Sequence, residues 1–126
     1  MIILDTSVWI EFLKGNVSYF ANVRELIEKQ QILAHEPIFA ELLQGVKNQR
    51  ENEIIHQYWT FLPKTNISGS WIKAGEYSAQ HKLLVLGVGL IDACILVAAQ
   101  ETESSIWTLD KKLKNVLPTG MIFELA

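Results

Sequence analysis

The sequence predicts an α/β fold in which helices cover both faces of a parallel sheet. A short continuous apolar run at residues 2–4 is typical of a strand that is buried on both faces, and the mostly apolar segment 106–109 is interpreted as another strand. Longer segments between such runs carry apolar residues at helical spacing. Alternating strands and helices favour a parallel sheet with helical layers, and a chain of 126 residues suits one domain, predicted here over 1–126.

The predicted elements follow one another along the chain. They are a strand over 2–4, helices from 6 to 14, from 18 and from 37, a strand over 32–34, a helix around 54–62, a weak strand over 64–67, a helix from 68 or 70 to 86, a helix over 90–99, a strand over 106–109, a helix over 111–116 and a last strand over 121–125. The predicted helix caps are Thr6 or Ser7, Ser18, and Ser68 or Ser70.

Composition limits the classes of protein that fit. The single cysteine, Cys94, excludes an internal disulfide and fits a reducing compartment. The N-terminus has no basic region, and the apolar run over 83–91 is too short to span a bilayer, so we expect a cytoplasmic protein with no membrane partner. The net charge of −3 lacks the basic excess of most nucleic-acid binders. Binding of nucleic acid is compatible with it if several acids are neutralised by a metal.

Four acids fall near the same end of the predicted sheet. Asp5 and Asp110 directly follow strands, Glu41 lies near the start of the helix after the second strand, and Asp92 opens an apolar helix. In parallel sheets, sites form at the carboxyl ends of the strands. Carboxylates that converge there repel one another unless cations neutralise them. These four acids are therefore candidate ligands of a metal ion.

The ligand type indicates the metal. Oxygen-only sites suit Mg²⁺ or Mn²⁺, which keep several waters and bind substrate phosphate. The three histidines, His35, His56 and His81, are scattered and do not have zinc-ligand spacing with Cys94. Each acid also has a structural interpretation, since Asp5, Asp92 and Asp110 could cap or open helices and Glu41 could be a solvated helix residue.

Four motifs carry a resemblance to a known family. They are Leu-Asp-Thr-Ser-Val from residue 4, Ala-Glu-Leu-Leu-Gln-Gly from 40, Gly-Leu-Ile-Asp-Ala-Cys-Ile from 89 and Thr-Leu-Asp from 108. With these motifs, in this order over nearly the whole chain, the sequence resembles PIN-domain proteins, and among them the VapC-type toxins of toxin–antitoxin modules. Where that family often continues with a second acid and an aromatic after the last motif, this chain has Lys111, Lys112 and Leu113.

The resemblance implies a fold, an activity and partners. It implies an α/β/α sandwich around a parallel sheet, an RNA endonuclease held inactive by a cognate antitoxin, and a homodimer. Carried over by position, Asp5 and Asp92 are the main metal ligands, and Glu41 and Asp110 complete the set directly or through water. Thr6 or Ser7 supports Asp5 or a ligand water by hydrogen bonds.

The mechanism expected from this reading is hydrolysis of RNA by a metal-activated water, with one or two Mg²⁺ ions between the carboxylates and a phosphate oxygen. Four lysines are candidate contacts to the RNA backbone: Lys111, Lys112, Lys114 and Lys82. Among the tryptophans, Trp9 and Trp107 are expected in the core, whereas Trp59 and Trp71 are expected to be more open.

Two other functions are compatible with parts of the pattern. A phosphotransferase with an aspartate nucleophile also places an acid after the first strand, but it usually needs a second aspartate two positions on, where this chain has Ser7. A PIN fold that binds RNA or protein without cleavage is the non-enzymatic alternative. Such a module has no need to hold four repelling carboxylates together, which favours the nuclease.

Overall fold

Two short parallel strands form the centre of the fold. The computed structural model describes residues 1–125. In it, β1 (Ile2–Leu4) pairs with β2 (Ser105–Trp107), and Ile3 lies beside Ile106. Every residue of both strands except Ser105 is buried, which explains the apolar run over 2–4 and the apolar pair Ile106 and Trp107.

Single parallel bridges extend this pair on both sides. They join Ile2 to Ile32, Ala34 to Lys64 and Ile106 to Ile122. The prediction of a parallel sheet flanked by helices is confirmed, but three of its predicted strands are reduced to isolated pairings. The strand predicted over 121–125 is wrong in extent, because a 3₁₀ turn (Thr119–Met121) occupies its start and only Ile122 pairs. Pro118 and Gly120 favour that turn over a strand.

Seven helices are formed by the described residues. They are α1 (Thr6–Leu13), α2 (Val17–Glu28), α3 (Glu36–Gln44), α4 (Gln49–Phe61), α5 (Ser70–His81), α6 (Leu90–Thr102) and α7 (Lys111–Val116). The most apolar of them, α6, has seven consecutive buried residues over 93–99 and packs against α5 and β2. A helix that is apolar all round belongs inside the core. Within residues 1–125, no helix is long and apolar enough to cross a membrane.

The predicted caps of three helices are wrong. Asp5, not Thr6 or Ser7, caps α1, and Asn16, not Ser18, caps α2. In each case the true cap lies one or two positions earlier, where an extended residue lets its side-chain oxygen reach the first free N–H groups. No side chain caps α5, which follows Gly69. It ends at His81 and not at residue 86, because Lys82 turns the chain with φ of 55°.

An aromatic core supports the N-terminal half of the molecule. Trp9 is buried, and its ring meets those of Phe12, Phe39 and Tyr58 at centroid distances of 5.9, 5.2 and 5.5 Å. Trp107 is also buried, so the expectation that these two tryptophans belong to the core is confirmed. Outside the core, Trp59 is half-buried beneath Lys64, and Trp71 is exposed.

Candidate active site

Asp5 lies at the carboxyl end of β1 and is only 6% exposed. Its backbone N–H donates to the carbonyl oxygen of Trp107 at 2.9 Å, which fixes it against the end of β2. Its Oδ1 accepts the N–H of Thr6 at 2.7 Å. Its Oδ2 accepts the hydroxyls of Thr108 at 2.6 Å and Ser7 at 3.2 Å. Asp5 therefore caps a helix and is also held rigidly at the edge of the sheet.

The two hydroxyls that hold Asp5 are themselves oriented by the backbone. Ser7 Oγ accepts the N–H of Leu109 at 3.1 Å, and Thr108 Oγ1 accepts the N–H of Asp110 at 3.0 Å. Because each hydroxyl accepts from a backbone group, its own proton is free to be donated to Asp5. The segment after β2 thus fixes the Asp5 carboxylate through two side chains.

Glu41 reaches the site from α3 and is half-buried. The hydroxyl of Thr6 donates to Glu41 Oε1 at 2.8 Å. The two hydroxyl residues after Asp5 therefore have different tasks: Ser7 holds Asp5, and the Thr6 side chain holds Glu41. The first turn of α1 joins the first two acids of the site.

Asp92 lies half-buried in the first turn of α6. Burial, together with the negative charges of Asp5, Asp110 and Glu41, raises the pKa of Asp92 to about 6. Asp92 is therefore within reach of the charges of the other three acids predicted from the sequence, and the four together are here called the acidic edge. Within the described residues, no hydrogen bond is made to the Asp92 carboxylate.

Asp110 is exposed and caps α7. Its Oδ1 accepts the N–H groups of Lys112 at 2.8 Å and Leu113 at 3.4 Å. The structural interpretation of this residue as a helix cap is therefore correct in geometry. Its charge still acts on Asp92, so capping and membership of the acidic edge coexist.

None of the four acids forms an ion pair in the part of the chain that the structure describes. The five ion pairs there use Glu11, Glu28, Glu25, Glu101 and Glu124. The four acids also do not close on a common point, since no group of three His, Cys, Asp or Glu side chains of residues 1–125 is placed to hold an ion directly. As a donor set, four carboxylates suit a hydrated Mg²⁺ or Mn²⁺, which binds through few carboxylates and keeps waters.

The candidate RNA-contacting lysines occupy different positions. Lys111 and Lys112 are exposed at the start of α7, and the Lys112 side chain lies against Gly87, where a Cβ would meet it at 3.1 Å. Lys114 forms an ion pair with Glu124 at 2.7 Å, so its charge is partly neutralised. Lys82 is exposed at the end of α5. Two lysines therefore flank the acidic edge directly.

Two features of this region were missed by sequence reasoning. Thr108 belongs to the Thr-Leu-Asp motif. The only signal of its role in the sequence is its position at the end of an apolar strand, opposite Asp5. The other feature is a groove of about 430 Å³ between α1, α3 and α4, with Glu41 among its lining residues. Its apolar walls include Ile10, Leu13, Leu42, Val46, Ile54 and Ile55.

The acids lie at the carboxyl edge of a parallel sheet, which is where sites form in folds of this kind. The PIN domain family model matches residues 2–116, and the chain belongs to the PIN domain family. Comparison with curated protein sequences gives no match.

Solved structures that include a toxin–antitoxin complex share this fold. VapBC2 from Rickettsia felis, bound to a DNA fragment from its promoter, is 23% identical with a TM-score of 0.75, and the match covers 98% of each chain. A toxin–antitoxin complex from Klebsiella pneumoniae is 18% identical with a TM-score of 0.72, covering 98% of this chain and 100% of the other. FitAcB from Neisseria gonorrhoeae is 19% identical with a TM-score of 0.59 over 90% of each chain. At these identities the likeness shows the fold.

Proposed function

We propose that this PIN-domain protein is a cytoplasmic Mg²⁺-dependent endoribonuclease and the toxin of a toxin–antitoxin pair. One observation carries the proposal: a buried aspartate, Asp5, is fixed by three hydrogen bonds among three further acids, and none of the four forms an ion pair within residues 1–125. All three aspartates of the sequence belong to this edge. Such a concentration of negative charge fits a divalent cation and a phosphate substrate.

The residues of the acidic edge divide the work. Asp5 and Asp92 would be the principal ligands of Mg²⁺, with Mn²⁺ as a substitute, and Glu41 and Asp110 would act directly or through water. A bound divalent cation supplies charge that polarises a phosphodiester and makes water more acidic. Lys111 and Lys112 are placed to hold the RNA backbone as point charges.

A protein partner and a second copy belong to the same proposal. Toxin–antitoxin complexes are among the structures that share this fold. The apolar groove that adjoins Glu41 is where we expect an antitoxin segment to lie. An exposed apolar loop over 84–86 supports a homodimer, because Leu84, Val85 and Leu86 are 76%, 84% and 55% exposed.

Cleavage of RNA tests the activity. Antitoxin-free protein is incubated with total cellular RNA in Mg²⁺ or in EDTA, beside Asp5→Asn, which removes the charge but keeps the shape. We expect discrete cleavage that needs Mg²⁺ and is lost in the variant. The matched control is Glu28→Gln, which removes a carboxylate charge from an exposed ion pair on α2 and should cleave like wild type.

The results separate the nuclease from a binding module. One observation favours the binding module: among residues 1–125, no three His, Cys, Asp or Glu side chains are placed to hold an ion directly. A folded protein that binds RNA and Mg²⁺ without cleaving any cellular RNA would support that alternative. Cleavage that persists both in EDTA and in Asp5→Asn would sink the metal-site assignment.

The homodimer is tested at the apolar loop. We expect Val85→Lys to shift the protein from dimer to monomer, because it places a charge in an apolar contact without disturbing the core. Light scattering coupled to size exclusion measures the mass. Val17→Lys on α2 is the matched control, since Val17 is 89% exposed but stands apart from this loop. If the dimer persists in Val85→Lys, its interface is formed by another part of the surface.

A further inference from the structure

The hydrogen bonds of Asp5 leave it little room to bind anything else. A carboxylate oxygen offers about two lone-pair positions. Oδ2 already accepts two hydroxyl protons, from Thr108 and Ser7, so both of its positions are occupied. Oδ1 accepts one N–H, from Thr6. One position, on Oδ1, is left for a cation.

A single free position has consequences for the choice of metal. Mg²⁺ is small, demands octahedral geometry and takes one oxygen from a carboxylate, whereas Ca²⁺ readily accepts both oxygens of one carboxylate. We propose that Thr108 is a positioning residue that makes this site prefer Mg²⁺ over Ca²⁺, by keeping Oδ2 of Asp5 occupied. The inference rests on the proposed function, because it concerns the same metal site.

Thr108 is better suited to this role than Ser7. Its bond to Oδ2 is shorter, 2.6 Å against 3.2 Å, and it is buried, whereas Ser7 is half-buried. Its hydroxyl cannot easily turn away, since it accepts the N–H of Asp110 at 3.0 Å. The backbone bond from Asp5 to Trp107 also fixes the spacing between the two strand ends.

Competitive metal binding tests the role of Thr108 without any measurement of cleavage. Mn²⁺ binding to the full chain is followed by electron paramagnetic resonance, and Mg²⁺ or Ca²⁺ is added to displace it. Thr108→Val removes the hydroxyl at nearly constant shape, and we expect Mn²⁺ affinity to fall about tenfold, the usual effect of losing a group that orients a ligand. Ca²⁺ should gain on Mg²⁺ as the displacing ion, because one of the two occupied positions on Oδ2 becomes free.

Two further variants separate this role from a general loss of structure. Thr108→Ser restores the hydroxyl and should restore the wild-type ratio of Mg²⁺ to Ca²⁺. Thr102→Val also removes a hydroxyl that makes hydrogen bonds, at the far end of α6, and should leave the ratio unchanged. If Thr108→Val does not fold, Thr108→Ala removes the same hydroxyl and provides the same test.

The outcomes distinguish the two proposals. A Thr108→Val protein that binds Mn²⁺ with an unchanged ratio of Mg²⁺ to Ca²⁺ overturns the positioning role and leaves the nuclease proposal intact. If Thr108→Val does not fold, an unchanged ratio in Thr108→Ala has the same meaning. A wild-type protein that binds no Mn²⁺ overturns the metal site and, with it, this inference.

Discussion

The two principal aspartates of the acidic edge are held in opposite ways. Asp5 is buried and its carboxylate accepts three hydrogen bonds, from Thr6, Ser7 and Thr108. Asp92 lies across the site on α6, and its carboxylate accepts none from the described residues, while burial and neighbouring charges raise its pKa to about 6. Hydrogen-bond donors of the protein stabilise the Asp5 carboxylate, whereas the Asp92 carboxylate has only a proton or a cation to neutralise it.

This contrast separates structure from reactivity at the same site. The Asp5 side chain is part of the framework, since it caps α1 and ties β1 to the segment after β2. Asp92 contributes charge without contributing bonds, so in the absence of metal it works against folding. A cation that enters the site would relieve that cost, which couples metal binding to stability.

The largest effect is expected from Asp5→Ala. The change leaves the hydroxyls of Ser7 and Thr108 and the N–H of Thr6 without their acceptor, and it removes the cap of α1. Together these losses should lower the free energy of unfolding by about 2 to 4 kcal/mol. Urea unfolding followed by circular dichroism, without divalent ions, measures it. A loss of well under about 1 kcal/mol would mean that Asp5 is not part of the framework.

The opposite sign is expected from Asp92→Asn. The amide keeps the shape but removes a desolvated charge that three other acids repel. We expect the metal-free protein to gain about 1 to 2 kcal/mol near neutral pH, a value that discounts the pKa shift for partial exposure. The same urea experiment serves, with Glu28→Gln as a control that should change stability by less than about 0.5 kcal/mol. A destabilised Asp92→Asn protein would contradict the contrast.

The smallest effect is the pH dependence, because two buried groups oppose one another. Asp92 has its pKa raised from 3.8 to about 6, so the folded state takes up its proton first and acidification stabilises it in that window. His35 is 1% exposed, and burial lowers its pKa from 6.5 to about 4, so acidification below 6.5 stabilises the unfolded chain. In the wild type the two contributions largely cancel between about pH 6 and pH 5.

Variants should expose each contribution by itself. In Asp92→Asn only the contribution of His35 to the pH dependence remains. The free energy of unfolding should therefore fall as the pH decreases from about 6.5 to about 5, by up to about 1.4 kcal/mol per pH unit. In His35→Asn only the contribution of Asp92 remains, so the free energy of unfolding should rise as the pH decreases from about 6 to about 5. The slope of unfolding free energy against pH is the measurement. If the free energy of unfolding changes with pH in the same direction in both variants, Asp92 and His35 do not oppose one another.

The sequence predicts the elements that are set by apolar pattern. The runs that form β1 and β2 are buried on both faces, and the apolar stretch within α6 is buried all round, so each is visible without knowledge of its neighbours. The strands over 32–34, 64–67 and 121–125 are reduced to single bridges, because their pairing depends on tertiary contacts that no local pattern reports.

The acids were predictable from position, but their connections were not. That Asp5, Asp92 and Asp110 lie near strand ends or helix starts follows from the order of elements. Which hydroxyl serves which acid does not, because the choice depends on how α1 is rotated: Ser7 turns toward Asp5, and Thr6 toward Glu41. Thr108 comes from more than a hundred positions away in the chain, beyond the reach of local patterns.

The capping bond of Asp5 also affects how such a protein could lose its activity in a population of cells. If the chain arrests growth, survivors must carry disarming mutations. Changes at Asp92 would leave a folded and more stable protein, which would accumulate and, under the proposed function, would still bind an antitoxin. Changes at Asp5 would weaken the fold, so proteases would clear the product. Survivors of the two kinds would thus differ in the amount of toxin protein that they contain.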